Sequence, residues 1–218
     1  MKHYFHLLLL SCLFICCSEK ETNNNAIEES QIASETPAVE WVYNKPLSYA
    51  VKWTAFKHTK KVPVNGGFDS VLVSGFNSSS SITEALKGVS FELFTASTNT
   101  NDKDRDYKII THFFGSLIMP LSIKGEIVEV SGLENGKGSL SIEMNGVTKK
   151  QPFTWSLNEN AELFIKSELN VLEWKGGAAL DSLNKVCEEK HTGPNDSESV
   201  LWPNVEVIVI SQLEKTNL

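Results

Sequence analysis

The stretch GSLSIEMNGVTKKQPFTWSL, residues 138–157, decides the class of fold. Apolar residues alternate with polar ones on both sides of the pair Asn145-Gly146. The alternating residues are Leu140, Ile142 and Met144 before the pair and Phe153, Trp155 and Leu157 after it. A period of two predicts a strand that buries one face. Because Asn-Gly favours the tight turn of a two-residue hairpin, the stretch predicts two sequential antiparallel strands.

The same alternation recurs along most of the chain. Its apolar positions are Tyr49, Val51, Trp53 and Ala55; residues 62–73; Phe91, Leu93 and Thr95; Leu121, Ile123, Gly125 and Ile127; Leu163, Ile165, Ser167, Leu169 and Val171; and Val205, Val207 and Val209. With the first hairpin, these runs predict about eight strands. Two segments have helical spacing instead, residues 109–114 and 178–190. The sequence therefore predicts an all-β fold with one or two short helices.

Eight antiparallel strands with one apolar face can close into a barrel or stack as two sheets. Closure removes the exposed edge strands, so we predict an eight-stranded antiparallel barrel, with a sandwich as the alternative. Its interior would receive the aromatic residues Trp53, Phe91, Phe153 and Trp155. A barrel of this size is filled by side chains or holds one slender ligand. Alternation alone does not distinguish these two interiors.

The composition narrows the classes of function. The chain has 20 Lys and Arg residues against 27 Asp and Glu residues, a formal net charge of −7. Nucleic acids are bound chiefly by clustered Lys and Arg that neutralise phosphates, so we expect no nucleic-acid partner. The densest basic run, residues 57–61, lies between two predicted strands and is interpreted as a solvated turn.

The N-terminus has the layout of a secretory signal. Lys2 precedes an apolar run from Leu7 to Ile15, which is shorter than the ~20 residues that span a bilayer. The end of this run resembles a bacterial lipobox, where cleavage precedes an acylated cysteine. Cys17 is the predicted lipid anchor because the full apolar run precedes it, and Cys12 is the alternative. An ordinary cleaved signal would also lead out of the cytoplasm.

Three segments follow from this pattern. Residues 1–16 are the predicted signal peptide, residues 17–40 a flexible tether and residues 41–218 the folded domain. The tether is rich in Glu and Asn with scarcely any large apolar residue, so burial cannot offset its ordering entropy. We expect a membrane-anchored lipoprotein outside the cytoplasm, on the periplasmic face or the cell surface of a Gram-negative-type envelope.

Three stretches of the domain resemble YceI-like proteins. They are VKWTAFKHTKKVPVNGGFDSV at 51–71, FELFTASTNTNDKDRDYKIITHFF at 91–114 and the hairpin at 130–157. The matching positions are Ser97, Thr100, Arg105, Asp106, Ile109, Phe113 and Phe114, then Gly138, Leu140, Gly146, Val147, Thr148 and Lys149. The resemblance implies a lipocalin-like β-barrel that holds a long isoprenoid or fatty chain in an apolar lumen.

These expectations define a candidate site. The residues expected to line the lumen or contact a ligand are Trp53, Phe91, Leu93, Arg105, Phe113, Phe114, Leu140, Ile142, Phe153 and Trp155. The expected function is non-catalytic binding of a polyisoprenoid or fatty-acid-like lipid, with no other cofactor. A surface adhesion or glycan-binding module with a filled core is the alternative.

The charged stretch NDKDRDYKIITHFFGS, residues 101–116, raises the question of catalysis. His112 and Asp106 lie six residues apart, so they would point to different faces of a helix. The other candidates, His58 and His191, have no partner at metal-ligand spacing, and we expect surface or capping histidines and no metal. We predict that the stretch pins a helix to the barrel, with Arg105 as the polar anchor or, alternatively, as a contact to a ligand headgroup. An enzyme is not expected.

Overall fold

The computed structural model describes residues 41–217, most of which lie in one antiparallel sheet. The strands are β1 Trp41–Lys57, β2 Val62–Phe68, β3 Val71–Ser74, β4 Ser90–Phe94, β5 Thr98–Asn99, β6 Ser122–Gly132, β7 Asn135–Met144, β8 Val147–Leu157, β9 Glu162–Asn170 and β10 Leu201–Asn217. Their order in the sheet is β3-β4-β6-β7-β8-β9-β10-β1-β2-β5. The predicted all-β antiparallel fold is confirmed.

The two ends of this order meet, because β2 runs directly into β3 and β4 leads into β5. Phe68 of β2 pairs with Thr98 of β5, and Val71 of β3 pairs with Leu93 of β4. Between these pairs the amide of Asp69 donates to the carbonyl of Ser97 at 3.0 Å. The ladder therefore continues across the bend, and the sheet closes into a barrel without a long free edge.

The predicted count of eight strands is wrong, since the sheet has ten. The two extra strands arise where two long strands are interrupted, at residues 69–70 and 95–97. At the second interruption, the hydroxyl of Ser97 donates to Phe94 O at 2.6 Å and that of Thr98 donates to Thr95 O at 2.7 Å. Such local side-chain bonds compete with the ladder, so the chain bends there.

Helical segments close the ends of the barrel. The α-helices are α1 Ile82–Leu86, α2 Lys103–Lys108, α3 Gly177–Val186 and α4 Glu188–His191. A π-helical turn, Ile109–Phe113, continues α2, and 3-10 turns occupy Thr95–Ser97, Phe114–Ser116 and Val171–Trp174. Both predicted helical segments are helical, but the expected count of one or two is too low. The main addition, α1, starts at the cap Ser81 and buries Ile82, Ala85 and Leu86.

The hairpin at residues 138–157 forms as predicted. Met144 pairs with Val147 across the two-residue turn, and Asn145 and Gly146 both have positive φ, at 54° and 70°. Asn145 also fixes the neighbouring loops, since its side-chain oxygen accepts from Ile118 N at 2.7 Å and its amide donates to Trp174 O at 2.9 Å. In residues 41–217, no helix has the length and apolar character needed to cross a bilayer.

Candidate functional site

The barrel encloses a cavity of ≈ 330 Å³. Inward-facing side chains from strands on every side line it, and they follow the predicted alternation. In β9 these residues are Leu163, Ile165, Ser167 and Leu169, and in β10 they are Val205, Val207, Val209, Ser211 and Leu213. The volume falls in the range of small-molecule sites, roughly 300–1,000 Å³. The interior is therefore a lined cavity rather than a completely packed core.

Three aromatic side chains lie flat against the barrel wall because each faces a glycine on the neighbouring strand. Trp53 pairs with Gly66, Phe91 with Gly125 and Phe153 with Gly138. A Cβ placed on these glycines would lie 2.2–2.3 Å from the partner ring. Since the ring occupies the space that a side chain would take, it covers the glycine instead of projecting to the barrel axis. For Trp53 and Phe91, this leaves room for the cavity that both residues line.

At one end, α1 closes the barrel. Ile82 and Leu86 are 4% and 3% exposed, and they pack in a cluster with Val89 of the loop that follows and with Ile127 of β6. Leu86 and Val89 also line the cavity. The lining of this end is mostly apolar, so a ligand there would contact chiefly hydrocarbon side chains.

At the other end, the segment from α2 to residue 116 lies across the barrel. Phe114 is 6% exposed and packs on Phe68 at 6.1 Å and on Phe113 at 5.1 Å between ring centroids. Phe113 is only half-buried, and both rings line the cavity. Next to them, Trp174 is fully buried and donates from its indole N–H to Ile142 O at 3.1 Å. This segment forms a lid whose apolar face is the ceiling of the cavity.

The polar anchor of the lid is Asp106, not Arg105. Asp106 is buried, and its Oδ1 accepts from both the amide and the hydroxyl of Thr100 at 2.7 Å. Arg105 instead forms one exposed ion pair with Asp102 at 3.3 Å within the same helix, an arrangement that contributes little to stability. The sequence expectation for Arg105 as the pin is therefore wrong, because Arg105 points away from the buried junction.

A cluster of charged residues lines the cavity beside the lid. It consists of Lys57, Asp104, Arg105, Lys108 and Lys190, and we call it the basic rim. Asp104 Oδ2 accepts from Lys108 Nζ at 2.8 Å and Lys190 Nζ at 3.4 Å. The hydrogen bond from Lys108 lowers the pKa of Asp104 and raises that of Lys108. Because Asp104 and Lys190 are largely exposed, the cavity reaches solvent at this rim.

Two further groups near the rim were not expected there. His191 is buried, lines the cavity and bonds through Nδ1 to Asn184 Oδ1 at 2.8 Å, so of the two expected roles, surface or capping, the surface position is wrong. Burial lowers its pKa to about 4, and the charges of Lys57 and His58 act in the same direction. Cys187 also lines the cavity, and burial raises the pKa of its thiol.

The predicted contact residues divide into two groups. Those that line the cavity are Trp53, Phe91, Leu93, Arg105, Phe113, Phe114, Leu140 and Ile142. Phe153 and Trp155 do not line it. Both are 3% exposed and pack in the cluster around α1, and the Trp155 indole donates to Ser131 O at 3.0 Å. Cys17 and Cys12 lie outside the described residues.

Sequence reasoning missed the lysines of the basic rim. For Lys57 a signal existed, because it continues the inward phase of Val51, Trp53 and Ala55 in β1. Lys108 and Asp104 have the i, i+4 spacing of a helical ion pair. Lys190 carried no such signal, because its approach to Lys57 depends on contacts between residues 133 apart.

Nothing in the described part of the chain resembles a metal centre. No group of three or more His, Cys, Asp and Glu side chains there is arranged to hold an ion. His58 bonds through Nε2 to Lys190 O at 3.1 Å, whereas His112 lies on the lid and does not line the cavity.

Comparisons with known proteins agree on the fold. No family model matches the sequence, and no curated protein matches it. A polyisoprenoid-binding domain from Saccharophagus degradans, implicated in plant cell wall breakdown, is 11% identical, with a TM-score of 0.54 over 82% of this chain and 100% of that chain. The chain shares the fold of this domain.

Two further solved structures are similar to this chain. Burkholderia cenocepacia BcnA is 13% identical, with a TM-score of 0.54 over 76% of this chain and 96% of that chain. A Campylobacter jejuni YCEI protein is 15% identical, with a TM-score of 0.48 over 75% of this chain and 90% of that chain. The two structures with a TM-score of 0.54 support the fold alone, and the cavity belongs to this chain's own residues.

Proposed function

We propose that the protein binds one long apolar chain, a polyisoprenoid or a fatty-acid-like lipid, in the barrel cavity and does not transform it. The observation that carries this proposal is the ≈ 330 Å³ apolar cavity held open by aromatic–glycine pairing. Each buried methylene of a ligand contributes ~0.8 kcal/mol, so a flexible hydrocarbon needs few polar contacts to bind. The solved domain from S. degradans, which shares the fold, is described as polyisoprenoid-binding, and this supports the same ligand class.

The alternative of an adhesion or glycan-binding module is less well supported. It calls for a filled interior and a surface platform of aromatic side chains. The cavity argues against the filled interior. A catalytic role would call for convergent acid, base and nucleophile groups. Of the three candidate histidines only His191 lines the cavity, and its low pKa keeps it neutral near pH 7.

We also propose that the barrel is held outside the cytoplasm by a lipid on Cys17. The support is the sequence pattern alone, an apolar run followed by a cysteine and then an acidic, Asn-rich segment. Cys17→Ser should move the protein from the membrane fraction to the soluble fraction, whereas Cys12→Ser should leave it in the membrane. Release by Cys12→Ser instead would assign the anchor to Cys12.

The binding proposal is tested by purifying the protein under native conditions and extracting it with organic solvent. Mass spectrometry of the extract should find about one long-chain lipid per protein molecule, and delipidated protein should bind palmitate or a polyisoprenoid alcohol again. A parallel extraction of heat-denatured, washed protein controls for lipid that adheres outside the cavity. Absence of lipid in the extract, together with no rebinding of either probe, would overturn the proposal.

A further inference from the structure

The basic rim is unlike the rest of both the cavity and the protein. Four cationic side chains and one carboxylate line this end, and Arg105 is paired with Asp102, so the local charge is +2, whereas the whole chain carries −7. The remaining lining is almost wholly apolar. Lysines that serve only solubility do not need to lie together at the mouth of a hydrocarbon cavity. At this position the low-dielectric walls strengthen the electrostatic field of the lysines.

The lysines come from three separate elements and are connected by hydrogen bonds and ion pairs. Lys57, at the end of β1, donates from Nζ to Lys190 O at 2.8 Å, and His58 Nε2 lies 3.1 Å from the same oxygen. Lys190 of α4 and Lys108 of α2 share the carboxylate of Asp104. These contacts link the three lysines to one another, and all three line the cavity.

The charges of the rim are incompletely neutralised. Asp104 serves two lysines, and among residues 41–217 no carboxylate forms an ion pair with Lys57. An anionic oxygen placed at the opening would therefore receive charge-assisted hydrogen bonds from ammonium groups that already lie beside the cavity. A neutral hydroxyl or ketone would gain much less from the same groups.

We propose that the basic rim binds the anionic headgroup of the lipid, a carboxylate or a phosphate, while the hydrocarbon chain extends toward α1. This inference rests on the proposed binding of an apolar chain, and it narrows the ligand class to acidic lipids. A fatty acid and an isoprenoid or alkyl phosphate share the chemistry that the rim recognises.

The test compares ligands that differ only in the headgroup. Delipidated protein is equilibrated with radiolabelled palmitate, hexadecanol or hexadecyl phosphate, and the dissociation constants are compared. We expect the anions to bind at least about tenfold more tightly than hexadecanol, a difference of about 1.4 kcal/mol. Whichever anion binds more tightly identifies a carboxylate or a phosphate as the preferred headgroup, and either result supports the proposal.

Charge-neutral variants locate the headgroup. Lys57→Gln combined with Lys190→Gln should remove most of the preference for palmitate and leave the affinity for hexadecanol unchanged. The matched control is Lys166→Gln on the exposed outer face of β9, which removes a charge from the protein but not from the cavity. Asp104→Asn should raise the affinity for palmitate about threefold because it frees two lysines, a gain that misfolding cannot imitate.

The outcomes separate this inference from the function on which it rests. If no probe binds, the proposal of lipid binding fails as well. If palmitate and hexadecanol bind equally, lipid binding stands and the acidic headgroup is refuted. A preference for palmitate that survives in the lysine double variant, or an Asp104→Asn protein with no gain in affinity, would refute the assignment of the headgroup to the basic rim.

Discussion

Replacing Ala55 with phenylalanine distinguishes an open lumen from a filled core. Ala55 lies two residues before the end of β1, paired with Val64 of β2 and Val205 of β10, and it lines the cavity. Its neighbour Thr54 lies on the opposite face of β1, where its hydroxyl donates to Asn65 Oδ1 at 2.9 Å. Thr54→Phe is therefore the matched control, since it adds the same ring to the same strand outside the barrel.

The structure gives the expected magnitudes. In a cavity of ≈ 330 Å³ the new ring has room, so the free energy of unfolding of the ligand-free protein should stay the same or rise. In a filled core the same ring would overpack and cost ~1–3 kcal/mol. The ring takes the place of about four ligand methylenes, so ~3 kcal/mol of binding free energy, or ~100-fold in affinity, should be lost.

The assays are urea unfolding of delipidated protein and equilibrium binding of palmitate. We expect Ala55→Phe to weaken binding without lowering the urea midpoint, and Thr54→Phe to bind like the parent. An Ala55→Phe protein that binds palmitate normally and is destabilised by ~1–3 kcal/mol would show that no lipid occupies this space, and the lumen would be refuted.

Three further outcomes are expected. In urea unfolding, Phe114→Ala should cost ~3–5 kcal/mol because its ring is buried, and half-buried Phe113 should cost less when truncated; equal losses would contradict this account of the lid. Asp106→Ala should lower the free energy of unfolding by ~1–3 kcal/mol, and Arg105→Ala should lower it by under ~0.5 kcal/mol. A larger loss in Arg105→Ala would show that Arg105 anchors the lid. The pKa of His191 is about 4 in the folded state and 6.5 in the unfolded state, so the unfolded state binds more protons between these values. The free energy of unfolding should therefore decrease by ~2–3 kcal/mol as the pH falls through this window. An identical pH profile in His191→Gln would refute this.

The sequence predicted only part of how the lid is anchored to the barrel. Helical spacing located the apolar face of residues 109–114, and both phenylalanines lie on the cavity side of the lid. The choice between Arg105 and Asp106 was wrong because the two residues are adjacent and both are polar. Only the orientation of α2, set by its junction with Thr100, buries the carboxylate and exposes the guanidinium.

The basic rim illustrates a second limit of sequence reasoning. Lys57, Lys108 and Lys190 belong to separate strands and helices, and each one alone is typical of a solvated position. Their convergence follows from the closure of the barrel and from the packing of α4 beside the end of β1. A contact between residues so far apart leaves no periodic trace in the sequence.

The sequence by itself determined the antiparallel strands, the Asn145-Gly146 hairpin and the inward face of each strand, because these depend on residues within a few positions of one another. The tertiary structure decided whether the interior was filled. That depends on register, which places Gly66 opposite Trp53 and Gly125 opposite Phe91, so that the rings lie along the wall. A shift of one residue would pair each ring with a different neighbour and turn side chains to the other face, and alternation alone does not set the register between strands.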